Sequence, residues 1–193
     1  MALLVRLVFC LGVTAAVFPA AGAAEKVGVG DLAPAFVAVD DSGGTWDSAD
    51  HFGEGIVVLY FYPADMTGGC TAQACAYRDA KDEFDGLGVT VVGVSGDTAE
   101  NHRLFKQAHD LNFALLADPE GEIAAKFGVP FNGGEKSLTR EILGVEHVLT
   151  RGGTSRRWTF VIDADGRIAA VDDAVKAKKD AANVRKVIAG LSR

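Results

Sequence analysis

Residues 56–78 read IVVLYFYPADMTGGCTAQACAYR, and this stretch decides the fold. It begins with an unbroken β-branched and aromatic run over 56–62, which is typical of a strand buried on both faces. The following PADMTGG has the composition of a loop, and a helical pattern then runs from about Cys70 to Phe84. A buried strand that leads through a short loop into a helix indicates an α/β domain.

The same alternation of strands and helices continues along the chain. A second buried strand is predicted at 89–95 and a short one at 113–118. A helix follows each of these strands. Asp97 is predicted to begin the first of these helices, with Glu100 completing a capping box, and Gly128 is predicted to end the second. Strands that alternate with helices predict parallel pairing within one sheet.

The ends of the chain add antiparallel pieces to this sheet. The segment 33–46 contains an Asp-Ser-Gly-Gly turn and is predicted to be a β-hairpin. A second hairpin joins 158–163 to 167–171, and an amphipathic helix over 180–191 closes the chain. The segment 131–156 is long for a connection and is predicted to form an inserted hairpin arm. We therefore expect a mixed central sheet flanked by helices, with an N-terminal hairpin and this arm.

Composition agrees with one folded domain. The chain has 193 residues, of which 49% are hydrophobic and 23% charged, so it is long and apolar enough to bury a core. Its net charge is -7, and the sequence contains no run of Lys or Arg residues. We therefore expect no nucleic-acid partner.

Residues 1–24 are predicted to be a signal peptide. A short n-region with one positive charge, Arg6, precedes an almost wholly apolar run over 7–18. Small residues follow, with cleavage expected after Ala23 or Ala24. The apolar run is too short to span a bilayer, so an uncleaved membrane anchor is the less favoured alternative. We expect an exported, periplasmic protein that is not attached to a membrane after cleavage.

Removal of this leader leaves residues 25–193 as a single domain. Cys10 is lost with the leader, so Cys70 and Cys75 are the cysteines of the predicted mature chain. Disulfides persist in exported proteins because the compartment is oxidising. Two cysteines in one short motif are few for a structural framework and indicate a reactive site instead.

Cys70 stands where an anionic nucleophile is favoured. It follows a buried strand, a loop and two glycines, and it opens the predicted helix. Unpaired N–H groups and the macrodipole at a helix start stabilise a thiolate there. Thr67 lies three residues earlier and can point its hydroxyl back at the sulfur. The carboxyl edge of a parallel sheet is also where such folds bind ligands.

The spacing of the two cysteines conflicts with a disulfide inside a helix. Positions five residues apart lie roughly 7.5 Å apart along a helix axis and about 140° apart around it. A disulfide usually needs Cα atoms within about 7 Å and side chains that point at each other. Joining Cys70 to Cys75 therefore requires the start of the helix to unwind.

Three interpretations of this pair compete. A permanent structural disulfide suits an exported protein, but the helix geometry counts against it. A metal site is also possible, although C-x₄-C is an unusual ligand spacing and the four histidines are scattered. Redox catalysis, in which one sulfur is oxidised to a sulfenic acid and condenses with the other, fits a pair that cycles between helix and disulfide. We favour the third interpretation.

The segment 61–79, FYPADMTGGCTAQACAYRD, resembles the active-site segment of peroxiredoxins. Their motif Pro-x-x-x-Thr-x-x-Cys is matched here by Pro63, Thr67 and Cys70, and a second cysteine five residues on resembles the bacterioferritin-comigratory, or Q-type, subfamily. Two later stretches, VVGVSGD and RWTFVIDADGRI, are also similar to that family. The resemblance covers about residues 27–191.

This resemblance implies a thioredoxin-like fold and a thiol peroxidase that reduces hydrogen peroxide and organic hydroperoxides. By resemblance, Cys70 is the peroxidatic cysteine and Cys75 the resolving one, joined in an intramolecular disulfide during turnover. Arg157 matches the arginine that lies against the thiolate, and Pro63 shields the sulfur. The family implies no cofactor and no metal, and recycling by a thioredoxin-like dithiol. We expect a monomer, with a dimer as the alternative.

The motif departs from the family pattern without losing a reacting group. Gly68 replaces a usual proline, Met66 occupies a place that is often charged or polar, and Gln73 stands where the subfamily usually has glutamate.

Two other functions are less favoured. A thioredoxin-type oxidoreductase needs C-x-x-C, which is absent, and a copper chaperone would need a distant ligand such as His147 with closer cysteines.

Overall fold

The computed structural model describes residues 27–191, and the predicted signal peptide lies outside this range. The strands in the described part are β1 Val37–Asp40, β2 Thr45–Asp47, β3 Ile56–Phe61, β4 Val89–Ser95, β5 Ala114–Ala117, β6 Phe131–Ile142, β7 Val145–Ser155, β8 Trp158–Ile162 and β9 Ile168–Asp172. The helices are α1 Gly68–Asp79, α2 Lys81–Gly86, α3 Ala99–His109, α4 Glu122–Lys126 and α5 Asp180–Leu191. None of the helices between residues 27 and 191 has the length and apolar character needed to cross a membrane.

Seven strands form one mixed sheet in the order β2-β1-β5-β4-β3-β8-β9. The three strands β3, β4 and β5 pair in parallel, whereas β1, β2, β8 and β9 join through antiparallel pairs. This confirms the predicted mixed sheet and both terminal hairpins. Because β3, β4 and β5 run the same way, their carboxyl ends meet at one edge. The loop that leads to Cys70 leaves β3 at that edge.

The sheet separates two apolar layers. Alternate residues of β3 point to opposite faces, as a strand requires, so Leu59 packs in one layer and Tyr60 in the other. One layer is covered by α4, which contributes Ile123. The other is covered by α1, α2, α3 and α5, with Tyr77 of α1 and Ile188 of α5 fully buried. This arrangement packs α1 against the sheet.

The helix predicted over 70–84 is two helices in the structure. The first, α1, begins at Gly68, and the chain breaks at Ala80 before α2 begins at Lys81. The N–H of Ala80 donates to the carbonyl of Tyr77, a tightened last turn that closes α1. Alanine is a strong helix former, so no residue in the sequence marks this break. The glycines before Cys70 have low helix propensity, which is why the predicted start was two residues late.

The predicted cap of α3 is also wrong by one residue. Thr98 is the N-cap, and its side chain accepts a hydrogen bond from the Asn101 N–H at 3.2 Å. Asp97 is buried instead and accepts from the backbone N–H of Asp65 at 2.9 Å. Both Asp and Thr are good N-cap residues, so the sequence does not distinguish them. Asp97 therefore binds the loop that leads to Cys70 instead of capping α3.

The segment 131–156 forms the predicted hairpin arm, as a separate two-stranded sheet of β6 and β7. Its turn consists of Leu143 and Gly144, with φ of 52° and 80°. Positive φ at both positions is the requirement of a type I′ hairpin turn, and glycine adopts this conformation without strain. Leu143 is 72% exposed at this turn.

The arm packs onto the site rather than extending freely into solvent. At its base the N–H of Gly152 donates to the carbonyl of Gly96 at 2.9 Å, and a Cβ added to Gly96 would lie 2.4 Å from the carbonyl of Gly153. Further out, Ile142 and Leu149 pack with Leu104 of α3 in a small apolar cluster. Met66, from the loop before Cys70, packs against the same cluster.

Candidate active site

Cys70 is the third residue of α1 and is almost fully buried. The preceding Thr67 is the N-cap residue, with extended backbone, and its carbonyl accepts the N–H of Thr71 at 2.8 Å. The Thr67 hydroxyl donates to the carbonyl of Ala64 at 3.0 Å. The structure therefore corrects the expectation that this hydroxyl points at the sulfur, since its one proton is used to close the loop.

Arg157 lies against the sulfur of Cys70. Its Nη2 is 3.1 Å from Cys70 Sγ, and its Nη1 donates to Gln73 Oε1 in a second, short hydrogen bond. The arginine stands in the two-residue link between β7 and β8, where its neighbour Arg156 is exposed. The guanidinium at this distance can donate hydrogen bonds to an oxygen that approaches the sulfur.

The buried carboxylate of Asp180 is linked to Arg157 through the side chain of Gln73. Gln73 Nε2 donates to Asp180 Oδ2 at 2.6 Å, while Tyr77 Oη and Thr159 Oγ1 donate to the same oxygen at 2.7 and 2.8 Å. Burial raises the pKa of Asp180, and the three hydrogen bonds offset part of that rise. Sequence reasoning missed Asp180, because 107 residues separate it from Gln73 and no motif marks it.

The loop from β3 to α1 is held in an unusual conformation. Met66 has φ of 56°, which lies in the left-handed region that non-glycine residues rarely adopt. Its side chain packs both in the layer beneath α1 and against the cluster of Leu104, Ile142 and Leu149. Burial of this side chain offsets the backbone cost and ties the loop to the arm.

The buried pair of Asp65 and His102 anchors the same loop to α3. His102 Nδ1 lies 2.8 Å from Asp65 Oδ2, and Nε2 lies 3.1 Å from the carbonyl of Leu116. Tyr62 Oη donates to the other carboxylate oxygen at 2.8 Å. Burial lowers the pKa of His102, but the charge and hydrogen bond of Asp65 and the charge of Asp97 outweigh it, so the net shift is upward. His102 therefore keeps its proton to higher pH than a free histidine.

This pair predicts a pH dependence of stability near neutrality. Above pH about 6.5 an unfolded chain releases the His102 proton, whereas the folded chain retains it, so the free energy of unfolding should fall as pH rises. For this one proton the free energy of unfolding should fall by at most about 1.4 kcal/mol per pH unit. The fall ends once the pH passes the raised pKa of His102 in the folded chain. Urea unfolding between pH 6 and about 9 measures it.

The His102→Gln variant is the control, because it has no titrating ring. The advantage in free energy of unfolding that the unaltered protein has over this variant should shrink as pH rises through that range, and a difference that does not change with pH would contradict the assignment. His109, whose pKa is lowered by burial, is present in both proteins, so its contribution cancels in the difference between them.

Cys75 lies on α1 with a half-buried side chain, and both cysteines of the described residues are free thiols. They are on one helix, five residues apart, which is the geometry in which a disulfide cannot form without unwinding. Within residues 27–191, no group of three or more His, Cys, Asp and Glu side chains is arranged to hold a metal ion.

A cleft of about 530 Å³ opens beside the site. Pro63 and Arg157 line it on the side of the site, whereas Cys70 is not part of the lining. The rest of the lining comes from the base of the arm and the loop after β9: Asn132, Thr154, Ser155, Arg156, Asp173, Ala174 and Val175. The cleft gives the guanidinium of Arg157 access to molecules from solvent.

The chain is similar to known proteins over most of its length. The AhpC/TSA family matches residues 29–171. Peroxiredoxin Bcp of Bacillus subtilis is 37% identical over 164 residues, which are 85% of this chain and 96% of that protein. Peroxiredoxin Bcp of Escherichia coli is 40% identical over 147 residues, covering 76% of this chain and 86% of the relative.

Solved structures show the same fold. The crystal structure of the peroxidoxin BcpB from Mycobacterium tuberculosis has a TM-score of 0.71 at 30% identity, covering 86% of this chain and 98% of that one. The bacterioferritin comigratory protein of Xanthomonas campestris, described for its alkyl peroxide reduction activity, has a TM-score of 0.67 at 23% identity and covers 82% and 92%. Because the Bcp relatives are matched over nearly their whole length, the chain belongs to the AhpC/TSA family and is a peroxiredoxin of the Bcp and Q type, a thiol peroxidase.

Proposed function

We propose that the chain reduces hydrogen peroxide and organic hydroperoxides, with Cys70 as the peroxidatic and Cys75 as the resolving cysteine. The observation that carries this proposal is the position of Arg157 Nη2, 3.1 Å from Cys70 Sγ at the start of α1. Helix start and guanidinium both favour the thiolate, which is the nucleophilic form of cysteine.

In the first step the Cys70 thiolate attacks the terminal oxygen of the peroxide. A sulfur–oxygen bond forms and the O–O bond breaks, which leaves Cys70 as a sulfenic acid. The departing oxygen takes a proton and leaves as water or an alcohol. Negative charge grows on that oxygen in the transition state, and the fixed donors of Arg157 stabilise it.

In the second step Cys75 reduces the sulfenic acid. Its sulfur forms the S–S bond to Cys70, the S–O bond breaks, and hydroxide leaves as water with the proton of the Cys75 thiol. Cys75 lies on the same helix as Cys70, five residues on, which supports its role as the partner thiol. A thioredoxin-like dithiol then takes over the disulfide by thiol exchange, in keeping with the thioredoxin-type reductant that the family implies.

The cleft beside Pro63 and Arg157 supports organic hydroperoxides as substrates. It is open to solvent and is lined in part by Arg157, whose guanidinium lies against Cys70, so the organic substituent has room outside the buried sulfur. The polar lining from Asn132 and Thr154 favours a polar or short substituent over a long apolar one.

Stopped-flow mixing of the reduced protein with hydrogen peroxide tests the proposal. Two thiols should be lost for each peroxide consumed, in a fast second-order phase followed by a first-order phase. The product should carry a Cys70–Cys75 disulfide by mass spectrometry. Retention of copper on purification, with no reaction toward peroxide, would favour the copper chaperone instead.

Oxidation should unwind the start of α1. The i, i+5 geometry forbids the disulfide in the intact helix, so backbone hydrogen bonds between residues 70 and 77 have to open. Amide exchange over 70–77 should be faster in the oxidised protein than in the reduced one, while β3 and β4 remain protected. Equal protection of 70–77 in both forms would show that the helix never opens.

We also propose that the protein is exported to the periplasm after removal of residues 1–24. The basic n-region, apolar run and small residues of this segment support export, and an oxidising compartment suits a disulfide-forming enzyme. N-terminal sequencing of protein from a periplasmic fraction should begin after Ala23 or Ala24. An intact Met1 in that fraction would contradict cleavage.

We further propose that the enzyme is a monomer, with a dimer as the alternative. The proposed cycle uses Cys70, Cys75 and Arg157 of one chain. Light scattering of the reduced and oxidised protein tests the oligomeric state, and a stable dimer in both forms would contradict the proposal.

A further inference from the structure

The buried carboxylate of Asp180 joins α5, α1 and β8 beneath the site. Its Oδ2 accepts hydrogen bonds from Gln73 and Tyr77 on α1 and from Thr159 on β8, all between 2.6 and 2.8 Å. The residue begins α5 and is 1% exposed. Its Oδ1 is buried and has no hydrogen-bond partner among residues 27–191. All three bonds therefore depend on one oxygen that carries negative charge, which strengthens each of them.

Gln73 lies within the stretch that has to unwind. It is three residues after Cys70 and two before Cys75. Its amide oxygen accepts from Arg157, and its amide N–H donates to Asp180. A glutamine suits this place because it presents an oxygen to the cation and a donor to the carboxylate, whereas a glutamate would oppose Asp180 with a second carboxylate.

Tyr77 makes the second hydrogen bond from α1 to Asp180. It lies two residues after Cys75, and its hydroxyl donates to the same Asp180 oxygen. Unwinding that stops before Tyr77 breaks the Gln73 bond and leaves the Tyr77 bond in place. Asp180 therefore resists unwinding between the cysteines and also holds the helix that remains beyond them.

We infer that Asp180 is a positioning residue that keeps α1 helical between Cys70 and Cys75 and thereby limits the rate of disulfide formation. This inference rests on the proposed function. While the helix stays closed, the Cys70 sulfenic acid waits for Cys75. A second peroxide can then oxidise it to the sulfinic acid, with an oxygen transferred to sulfur and water or alcohol released. The Asp180 contact thus determines how peroxide is partitioned between turnover and inactivation.

The Asp180→Asn variant tests this role in the full chain. Asparagine is as good as aspartate at a helix start, so α5 should keep its first turn, but the bonds to Gln73 and Tyr77 lose their charge. In stopped flow, the first-order phase of disulfide formation should accelerate about fivefold. The peroxide concentration that converts half of Cys70 to sulfinic acid should rise by the same factor, because it reflects the ratio of the two rates.

Thr159→Val is the matched control. It removes one donor to the same oxygen and leaves both bonds to α1, so a general loosening of the core would appear in it as well. Its rate of disulfide formation should change by less than about twofold. Gln73→Glu breaks the link from the side of α1 and keeps an oxygen for Arg157, so it should reproduce the acceleration if Asp180→Asn does not fold.

An unchanged rate of disulfide formation in Asp180→Asn, or an equal acceleration in Thr159→Val, would overturn the inference. Amide exchange of the reduced proteins gives a readout that does not need peroxide. Residues 70–76 should exchange faster in Asp180→Asn than in the unaltered protein, with β3 unchanged. If the unaltered protein forms no disulfide with peroxide, the proposed function itself is wrong. If the unaltered protein forms the disulfide and Asp180→Asn forms it at the same rate, only the role of Asp180 is wrong.

Discussion

Replacing Cys70 with serine is expected to abolish peroxide consumption. The serine hydroxyl is far less acidic and less nucleophilic than a thiol, so the charge of Arg157 has no thiolate to stabilise. Turnover with hydrogen peroxide and a dithiol reductant should fall by at least about 10³-fold, to the background rate. The measurement is steady-state peroxide consumption with a thioredoxin-like protein as the reductant.

The Cys75→Ser variant is the matched control, because it alters the other sulfur of the same helix. It should still consume one peroxide per chain, since Cys70 and Arg157 are intact. The sulfenic acid then has no partner thiol and should be labelled by a dimedone-type reagent. If the two variants were labelled equally, or if Cys75→Ser were the inactive one, the roles of the cysteines would have to be exchanged.

Replacing Arg157 with alanine is expected to cause the second largest loss. Two hydrogen bonds of the guanidinium disappear, one to the sulfur and the other to Gln73, and the positive charge beside the sulfur is lost. Removing a preorganised donor from a site where charge develops costs about 10²–10³-fold in rate. The second-order rate with hydrogen peroxide, measured by stopped flow near neutral pH, should fall by that amount.

Arg157→Lys should recover part of the rate. An ammonium supplies the charge, but it is a point charge and does not reproduce the fork that reaches Cys70 and Gln73 together. Arg156→Ala is the control, because this neighbour is exposed and its bond to the Pro130 carbonyl is made by the backbone. A damaging Arg156→Ala with a silent Arg157→Ala would contradict the geometry of the site.

Much of the secondary structure was predictable because it depends on near neighbours and periodicity. The uninterrupted apolar runs predicted β3 and β4, and the turn residues predicted both terminal hairpins and the arm. Gly128, with φ of 66°, ends α4 as expected of a glycine C-cap. The helix boundaries were less accurate, since the break at Ala80 and the cap at Thr98 have no distinct signal in the sequence.

The sequence by itself determined the local frame of the site. A buried strand, a loop with two glycines and a helix start place Cys70 at the edge of the sheet, and the position of Cys75 follows from the helix. These relations span a few residues, so backbone geometry and periodicity are sufficient to derive them. Arg157 was assigned by family resemblance, because no local pattern connects it to a cysteine 87 residues away.

The tertiary structure alone decided what surrounds that frame. Gln73 and Asp180 come together across 107 residues, and Asp65 reaches His102 across 37. Neither pair has a sequence motif, since each results from how α1, α3 and α5 pack on one face of the sheet. Buried polar groups need partners wherever packing places them. Those partners hold the loop and helix around Cys70, and only the packed fold reveals them.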